Sequence, residues 1–106
     1  MILTTGEFVA HKKIVKTLGL VRGNTVRARH VGRDIGAFFR TIIGGEVSEY
    51  TKLIAESREQ AIDRMIEEAK GMGANAIIQV RFSTSGIMSG SAELLAYGTA
   101  VFCEEE

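Results

Sequence analysis

The chain has 106 residues, of which 45% are hydrophobic and 25% are charged, a composition typical of a folded protein rather than a disordered one. Thirteen basic and thirteen acidic residues balance, which weighs against nucleic acid as a partner. A single cysteine excludes an intrachain disulfide and fits a reducing compartment. No apolar run reaches the roughly 18 residues of a membrane helix, and the start lacks a signal-peptide pattern. We therefore expect one domain over residues 1–106, cytoplasmic and without a membrane partner.

The balanced total hides an uneven distribution of charge. Residues 1–45 carry a net charge of +6, whereas residues 46–106 carry −6. Such asymmetry indicates either a basic binding face or two complementary surfaces that meet within or between subunits. We favour complementary surfaces, because the basic residues are spread thinly over the predicted strands and turns.

The first half of the chain has the alternating pattern of a β-hairpin. Residues 14–21 predict a strand, residues 22–25 (Arg-Gly-Asn-Thr) a turn, and residues 26–31 the returning strand. A long amphipathic helix follows over about residues 46–72, because its apolar side chains recur at three- and four-residue spacing. Gly71 or Gly73 supplies its C-terminal stop.

The second half of the chain predicts two more strands. Residues 76–82 form the third strand, the small and polar residues 83–91 form a mobile connection, and residues 93–103 form the fourth strand. The order β-β-α-β-β predicts an α+β fold, in which one long helix covers one face of an antiparallel sheet.

The fourth strand is apolar on both of its sides, which points beyond a single subunit. One helix covers only one face of a small sheet, so something else must cover the second face. The segment 35–43 is the other candidate cover in this chain, and it is short. We therefore expect a neighbouring subunit to supply much of the missing surface, in a homo-oligomer. The residues that face one way are Leu94, Ala96, Ala100 and Phe102, and those that face the other way are Leu95, Tyr97, Val101 and Cys103.

Few residues in the chain suit metal binding or nucleophilic catalysis. The cysteine and histidine residues are His11, His30 and Cys103, and none has the paired spacing of metal ligands. No metal site is therefore predicted within one subunit, whereas a site shared across subunits stays open because symmetry multiplies each ligand. The serines of residues 83–91 lack the strand-to-helix turn that exposes a catalytic serine. No catalytic residue is predicted.

One segment has the features of a candidate anion site. Gly44 and Gly45 precede the N-terminus of the predicted helix, where free N–H groups attract anions. Arg33 and Arg40 lie just upstream, so residues 33–45 are a candidate anion-binding corner. The alternative is that Arg33 pairs with Asp34, or Arg40 with a carboxylate, and fixes the loop.

Several segments occur in a distinctive order around the long helix: Arg33-Asp34-Ile35, Phe39-Arg40, Ile43-Gly44-Gly45, Gly73-Ala74-Asn75-Ala76 and Tyr97-Gly98-Thr99-Ala100-Val101. This arrangement resembles the YbjQ-like family of small bacterial and archaeal proteins, over nearly the whole chain. The resemblance implies a dodecin-like subunit with an antiparallel sheet, assembled as a homo-oligomer that in known members is a pentameric ring. It implies no activity, although some members carry a heavy-metal-binding label. The recurring polar positions of the family match at Arg33, Asp34 and Arg40, which with the backbone of Gly44 and Gly45 form the candidate site for a small anionic ligand.

Three functional hypotheses follow from these observations. The first is a non-enzymatic homo-oligomer, pentameric by resemblance, that binds a small ligand or acts as a scaffold. The second is a heavy-metal-binding protein with sites between subunits, in which a metal ion is the cofactor. The third is an enzyme whose active site lies at a subunit junction and contains Arg33 and Asp34.

Overall fold

The computed structural model describes residues 1–28, 47–88 and 91–106. Four strands and one helix follow one another in this part of the chain: β1 (Ile2–Leu3), β2 (Lys12–Ala28), α1 (Val47–Gly71), β3 (Ala76–Met88) and β4 (Ser91–Glu105). The strands form one sheet in the order β1-β3-β4-β2, and α1 packs on one of its faces, mainly against β2 and then β4. The predicted α+β class and the long helix are confirmed.

The sheet is mixed, so the prediction of an antiparallel sheet is wrong at one edge. β4 pairs antiparallel with both β2 and β3, as expected. β1, however, pairs parallel with β3, through Ile2 opposite Ala76 and Leu3 opposite Ile77. A strand of two residues shows no alternation in the sequence, which explains why this edge was not predicted.

The predicted turn at residues 22–25 is also wrong, because β2 is one continuous strand of 17 residues. It pairs with β4 from Lys12 opposite Glu105 to Ala28 opposite Ser91. Gly23 has a packing role here: a Cβ atom at this position would lie 2.1 Å from the carbonyl oxygen of Ala61. The glycine therefore lets the backbone of α1 approach the strand closely.

The predicted mobile connection over residues 83–91 is mostly strand. β3 continues to Met88 and β4 begins at Ser91, with Ser83 opposite Leu95 and Ser85 opposite Glu93. Backbone hydrogen bonds between the strands, rather than apolar side chains, keep this polar stretch extended. Its small and polar composition therefore gave a wrong prediction of a loop.

The main core lies between α1 and the sheet. Small residues at Ala61, Ala69, Ala96 and Ala100 bring the helix close to the strands. Burying a side chain as large as Met65 contributes about 1.5–3 kcal/mol. The fully buried members of this cluster are Val21, Ala61, Met65, Ala69, Ile77, Ala96 and Ala100.

A second, smaller core lies on the opposite face of the sheet, which we call the open face. Val101 and Cys103 of β4 pack there with Ala76 and Ile78, and Val9 of the N-terminal segment packs against them. The apolar character of both faces of β4 is thus confirmed. At this end, however, the chain covers part of its own second face with residues before β2, a cover that was not predicted.

The side chain of Asn75 stabilises this second core through hydrogen bonds to the backbone of Cys103. Its Nδ2 donates to the carbonyl oxygen of Cys103 at 2.8 Å, and its Oδ1 accepts from the Cys103 backbone N–H at 2.9 Å. One amide side chain therefore satisfies both backbone groups of a buried residue, in the place of a strand partner.

Candidate functional site

A β-bulge in β3 creates the most unusual backbone on the open face. Ile78 lies opposite Thr99 and Arg81 lies opposite Tyr97, so Gln79 and Val80 together face the single residue Gly98. Gln79 has a φ of 53°, in the left-handed region that residues with side chains rarely adopt.

The N-terminal segment holds this bulge in place. The Gln79 N–H donates to the carbonyl oxygen of Gly6 at 2.8 Å, and the Val80 N–H donates to that of Thr4 at 3.0 Å. Gly98 permits the close approach from the other side, since a Cβ atom there would lie 2.8 Å from the Cγ2 atom of Ile77. Three separate parts of the chain therefore form the bulge: β3 itself, the N-terminal segment and Gly98 of β4.

A shallow cavity of about 330 Å³ opens beside the bulge. Leu20 and Thr99 are neighbours across β2 and β4, and Arg81 and Tyr97 are neighbours across β3 and β4. Small-molecule sites usually measure about 300–1,000 Å³, so this cavity is at the small end of that range. Its lining residues are Leu20, Gln79, Arg81, Tyr97, Gly98 and Thr99.

Two arginines flank Tyr97 in a row that crosses three strands. Arg22 of β2 and Arg81 of β3 both lie opposite Tyr97 of β4, and we call these three residues the basic row. Directly opposed residues on one face of a sheet have Cβ atoms about 4.5–5.5 Å apart. The two arginines therefore lie on either side of Tyr97, and Arg81 of this pair lines the cavity.

The two arginines differ in how they are held. Nη1 of Arg81 donates to the carbonyl oxygens of Thr5 and Val80, each at 2.9 Å, which orients the guanidinium. Arg22 is exposed and has no ion pair within the described ranges, where Lys12 and Glu105 form the ion pair that is present. Neither arginine of the basic row is therefore held by an ion pair within the part of the chain that the structure describes.

The predicted anion site cannot be compared with this geometry. Arg33, Asp34, Arg40, Gly44 and Gly45 all lie outside the described residues, as does His30.

The remaining metal-ligand candidates do not form a cluster. His11 is exposed, whereas Cys103 is buried with its Sγ 3.4 Å from Oδ1 of Asn75. Within residues 1–28, 47–88 and 91–106, no three His, Cys, Asp or Glu side chains come together as metal ligands would. In the same ranges no helix is both long enough and apolar enough to span a membrane.

The cavity was missed as a site because its parts are far apart in the sequence. Tyr97 was assigned to one face of β4 together with Leu95, Val101 and Cys103, and the same alternation would have placed Thr99 beside it. Arg81 joins them only through the pairing register of β3, which the bulge shifts. Gln79 gives no signal of that bulge, because a left-handed position is usually a glycine or an asparagine.

Comparisons with known proteins agree with one another over almost the entire chain. A family model described as "putative heavy-metal-binding" matches residues 1–104. A UPF0145 protein of Dehalococcoides mccartyi is 60% identical over 104 residues, covering 98% of this chain and 100% of the relative. A UPF0145 protein of Methanosarcina acetivorans is 54% identical over 101 residues, covering 95% of each chain.

A solved structure shares the fold at much lower sequence identity. It is the crystal structure of a DUF74-family protein of unknown function from Pediococcus pentosaceus, which has a TM-score of 0.66 and 15% identity and covers 98% of both chains. The family match and the identities of the relatives together establish that this chain belongs to the YbjQ family.

Proposed function

We propose that this protein is a non-enzymatic, cytoplasmic homo-oligomer that binds a small ligand on the open face of its sheet. The observation that carries the proposal is the exposure of large apolar side chains on that face: Leu20 is 62% exposed and Val26 is 56% exposed. Large apolar side chains exposed on a sheet face are typical of an association surface. The family resemblance adds dodecin-like subunits in a five-membered ring as the expected assembly.

Unpaired sheet edges support association between subunits. In the described part of the chain, the outer edge of β2 has no neighbouring strand, and β1 with the rest of the N-terminal segment covers the outer edge of β3 only as far as Val80. Free N–H and C=O groups along such edges are ready to pair with another chain. A second copy that pairs with an edge also brings side chains toward the open face.

The chemistry of the cavity supports binding rather than catalysis. It offers one guanidinium, one amide, one phenol and one hydroxyl group, from Arg81, Gln79, Tyr97 and Thr99. Such groups hold an anion or a polar ligand by hydrogen bonds.

The family description favours a heavy-metal-binding function as the second candidate. A metal would need ligands from several subunits or from residues 29–46, where His30 lies. Cys103 is a poor first ligand, because it is 3% exposed and its neighbour Asn75 already engages its backbone and side chain. An enzyme with Arg33 and Asp34 at a subunit junction is the third candidate.

Native mass spectrometry of the untagged protein, purified without chelators, tests the assembly. We expect a closed ring of about five subunits, as the resemblance implies. Val26→Asp should shift the assembly to smaller species, because it places a charge on the apolar surface. Lys52→Asp is the matched control on the exposed side of α1 and should leave the ring intact.

A monomer at micromolar concentration would overturn the assembly proposal. An intact ring in Val26→Asp would place the interface elsewhere and contradict the assignment to the open face. Metal retained in multiples of the subunit number, and lost on His30→Ala, would favour the second candidate instead. Circular dichroism of both aspartate variants separates loss of assembly from loss of folding.

A further inference from the structure

Neither arginine of the basic row forms an ion pair within the described residues, where the ion pair present is that of Lys12 with Glu105. Glu93, the nearest acidic residue along β4, is four residues from Tyr97, and its carboxylate accepts a hydrogen bond from Nδ2 of Asn24. Both guanidinium groups of the basic row can therefore pair with an anionic group.

Arg81 is already oriented for binding an anion. Two backbone carbonyl oxygens fix its Nη1 atom, so little side-chain freedom remains to be lost on binding. The remaining N–H groups of its planar guanidinium suit a planar, two-oxygen acceptor such as a carboxylate.

The rest of the cavity is suited to a flat apolar body. The Tyr97 ring and the exposed Leu20 side chain supply apolar surface, while Gln79 and Thr99 supply hydrogen-bonding groups. A volume of about 330 Å³ accepts a molecule of about one ring and is too small for a dinucleotide.

From this combination we infer that the cavity beside the β3 bulge binds a small aromatic carboxylate. Its carboxylate lies against Arg81, and its ring lies against Tyr97 and Leu20, while Arg22 on the far side of Tyr97 adds positive charge. This inference rests on the proposed ligand-binding function and names the class of ligand. It also explains the left-handed backbone of Gln79, which turns an amide side chain into the cavity wall at a cost in strain.

Calorimetric titration of the assembled protein at low salt tests the inference with three probes. Benzoate carries both the ring and the carboxylate, benzamide carries the ring without the charge, and inorganic phosphate carries the charge without the ring. We expect benzoate to bind at least about tenfold more tightly than either of the others. Added salt should weaken benzoate binding, because an exposed ion pair is screened.

Two arginine variants locate the site. Arg22→Gln should weaken benzoate binding at least about fivefold without affecting folding, because Arg22 is exposed and has no ion pair among the described residues. Arg81→Lys should weaken it as well, since lysine retains the charge but loses the planar fork. Arg58→Gln removes one exposed arginine from α1 and is the matched control, with unchanged affinity expected.

Three results would overturn the inference: no benzoate binding, equal binding of benzamide and benzoate, or unchanged affinity in both Arg22→Gln and Arg81→Lys. The mass of the assembly is measured on the same samples. An intact ring that does not bind benzoate refutes this ligand class alone, whereas a monomer refutes the proposed function.

Discussion

The two faces of β2 have very different environments. Val21 is fully buried beneath α1, whereas its neighbours Leu20 and Arg22 are exposed on the open face. Gly23 touches the helix backbone, and Val26, three residues later, is 56% exposed. On the helix face, Val21, Gly23 and Thr25 are buried against α1. On the open face, the apolar and basic side chains of Leu20, Arg22 and Val26 are exposed in this subunit.

The largest expected effect concerns the helix face. Gly23→Ala would place a Cβ atom 2.4 Å from the backbone nitrogen of Met65, so α1 has to move away from the sheet. We expect the free energy of unfolding to fall by about 3 kcal/mol or more, as measured by urea denaturation. Gly86→Ala is the control, because no atom lies within 4 Å of the added Cβ atom. Equal effects of the two substitutions would contradict the close packing at Gly23.

An intermediate effect is expected at the covered end of the open face. Asn75→Ala leaves the backbone N–H and C=O of the buried residue Cys103 without their partner, which should cost about 2 kcal/mol of unfolding free energy. Asn24→Ala removes an exposed hydrogen bond to Glu93 and should cost less than about 0.5 kcal/mol. If Asn75→Ala were as mild as this control in thermal denaturation, the second core would not depend on that amide.

The smallest effect is a pH dependence at the end of β2. A hydrogen bond with Glu105 raises the pKa of Lys12 above its ordinary value of 10.5, although partial desolvation opposes the shift. A raised lysine pKa stabilises the fold at all pH values below the ordinary pKa, and this contribution is lost as the pH rises through the folded-state pKa.

The Lys12–Glu105 pair is exposed, so its contribution is small and screened by salt. The Tm difference between wild type and Lys12→Met should stay constant from neutral pH to about pH 9 and disappear at more alkaline pH. Lys13→Met, which breaks no ion pair within the described residues, should show no such trend. A Tm difference that disappears on acidification through pH 7 would contradict the assignment.

The fold was predictable where one physical cause dominates. The stripe of apolar residues in α1 has a single explanation, burial against a sheet, and the C-terminal end of the helix was predicted to within a residue. The alternation in β4 likewise identified two apolar faces. The prediction failed at Gly23, because a glycine that permits close packing and a glycine that permits a turn look alike in a sequence. The prediction failed again over residues 83–91, because a strand that is held by backbone hydrogen bonds needs no characteristic amino-acid composition.

The candidate site was less predictable than the fold. Arg22, Arg81 and Tyr97 come together only through the registers of two strand pairs, and a bulge sets one of these registers. Local patterns do not encode register, since a shift of one residue exchanges the faces of a strand. The predicted site at Arg33, Asp34, Arg40, Gly44 and Gly45 stays a prediction.

The order of the strands has a consequence for how the molecule is made. β4 lies at the centre of the sheet between β3 and β2, yet it follows every other element along the chain. During synthesis β2 and α1 emerge before β4, the strand that joins β2 to β3. Their apolar surfaces stay exposed to water until β4 is made. Lys12 and Glu105 pair in the sheet although almost the whole chain separates them in the sequence. Contacts between residues so far apart in the sequence form slowly during folding. Folding of this subunit is therefore completed only after β4 has been translated.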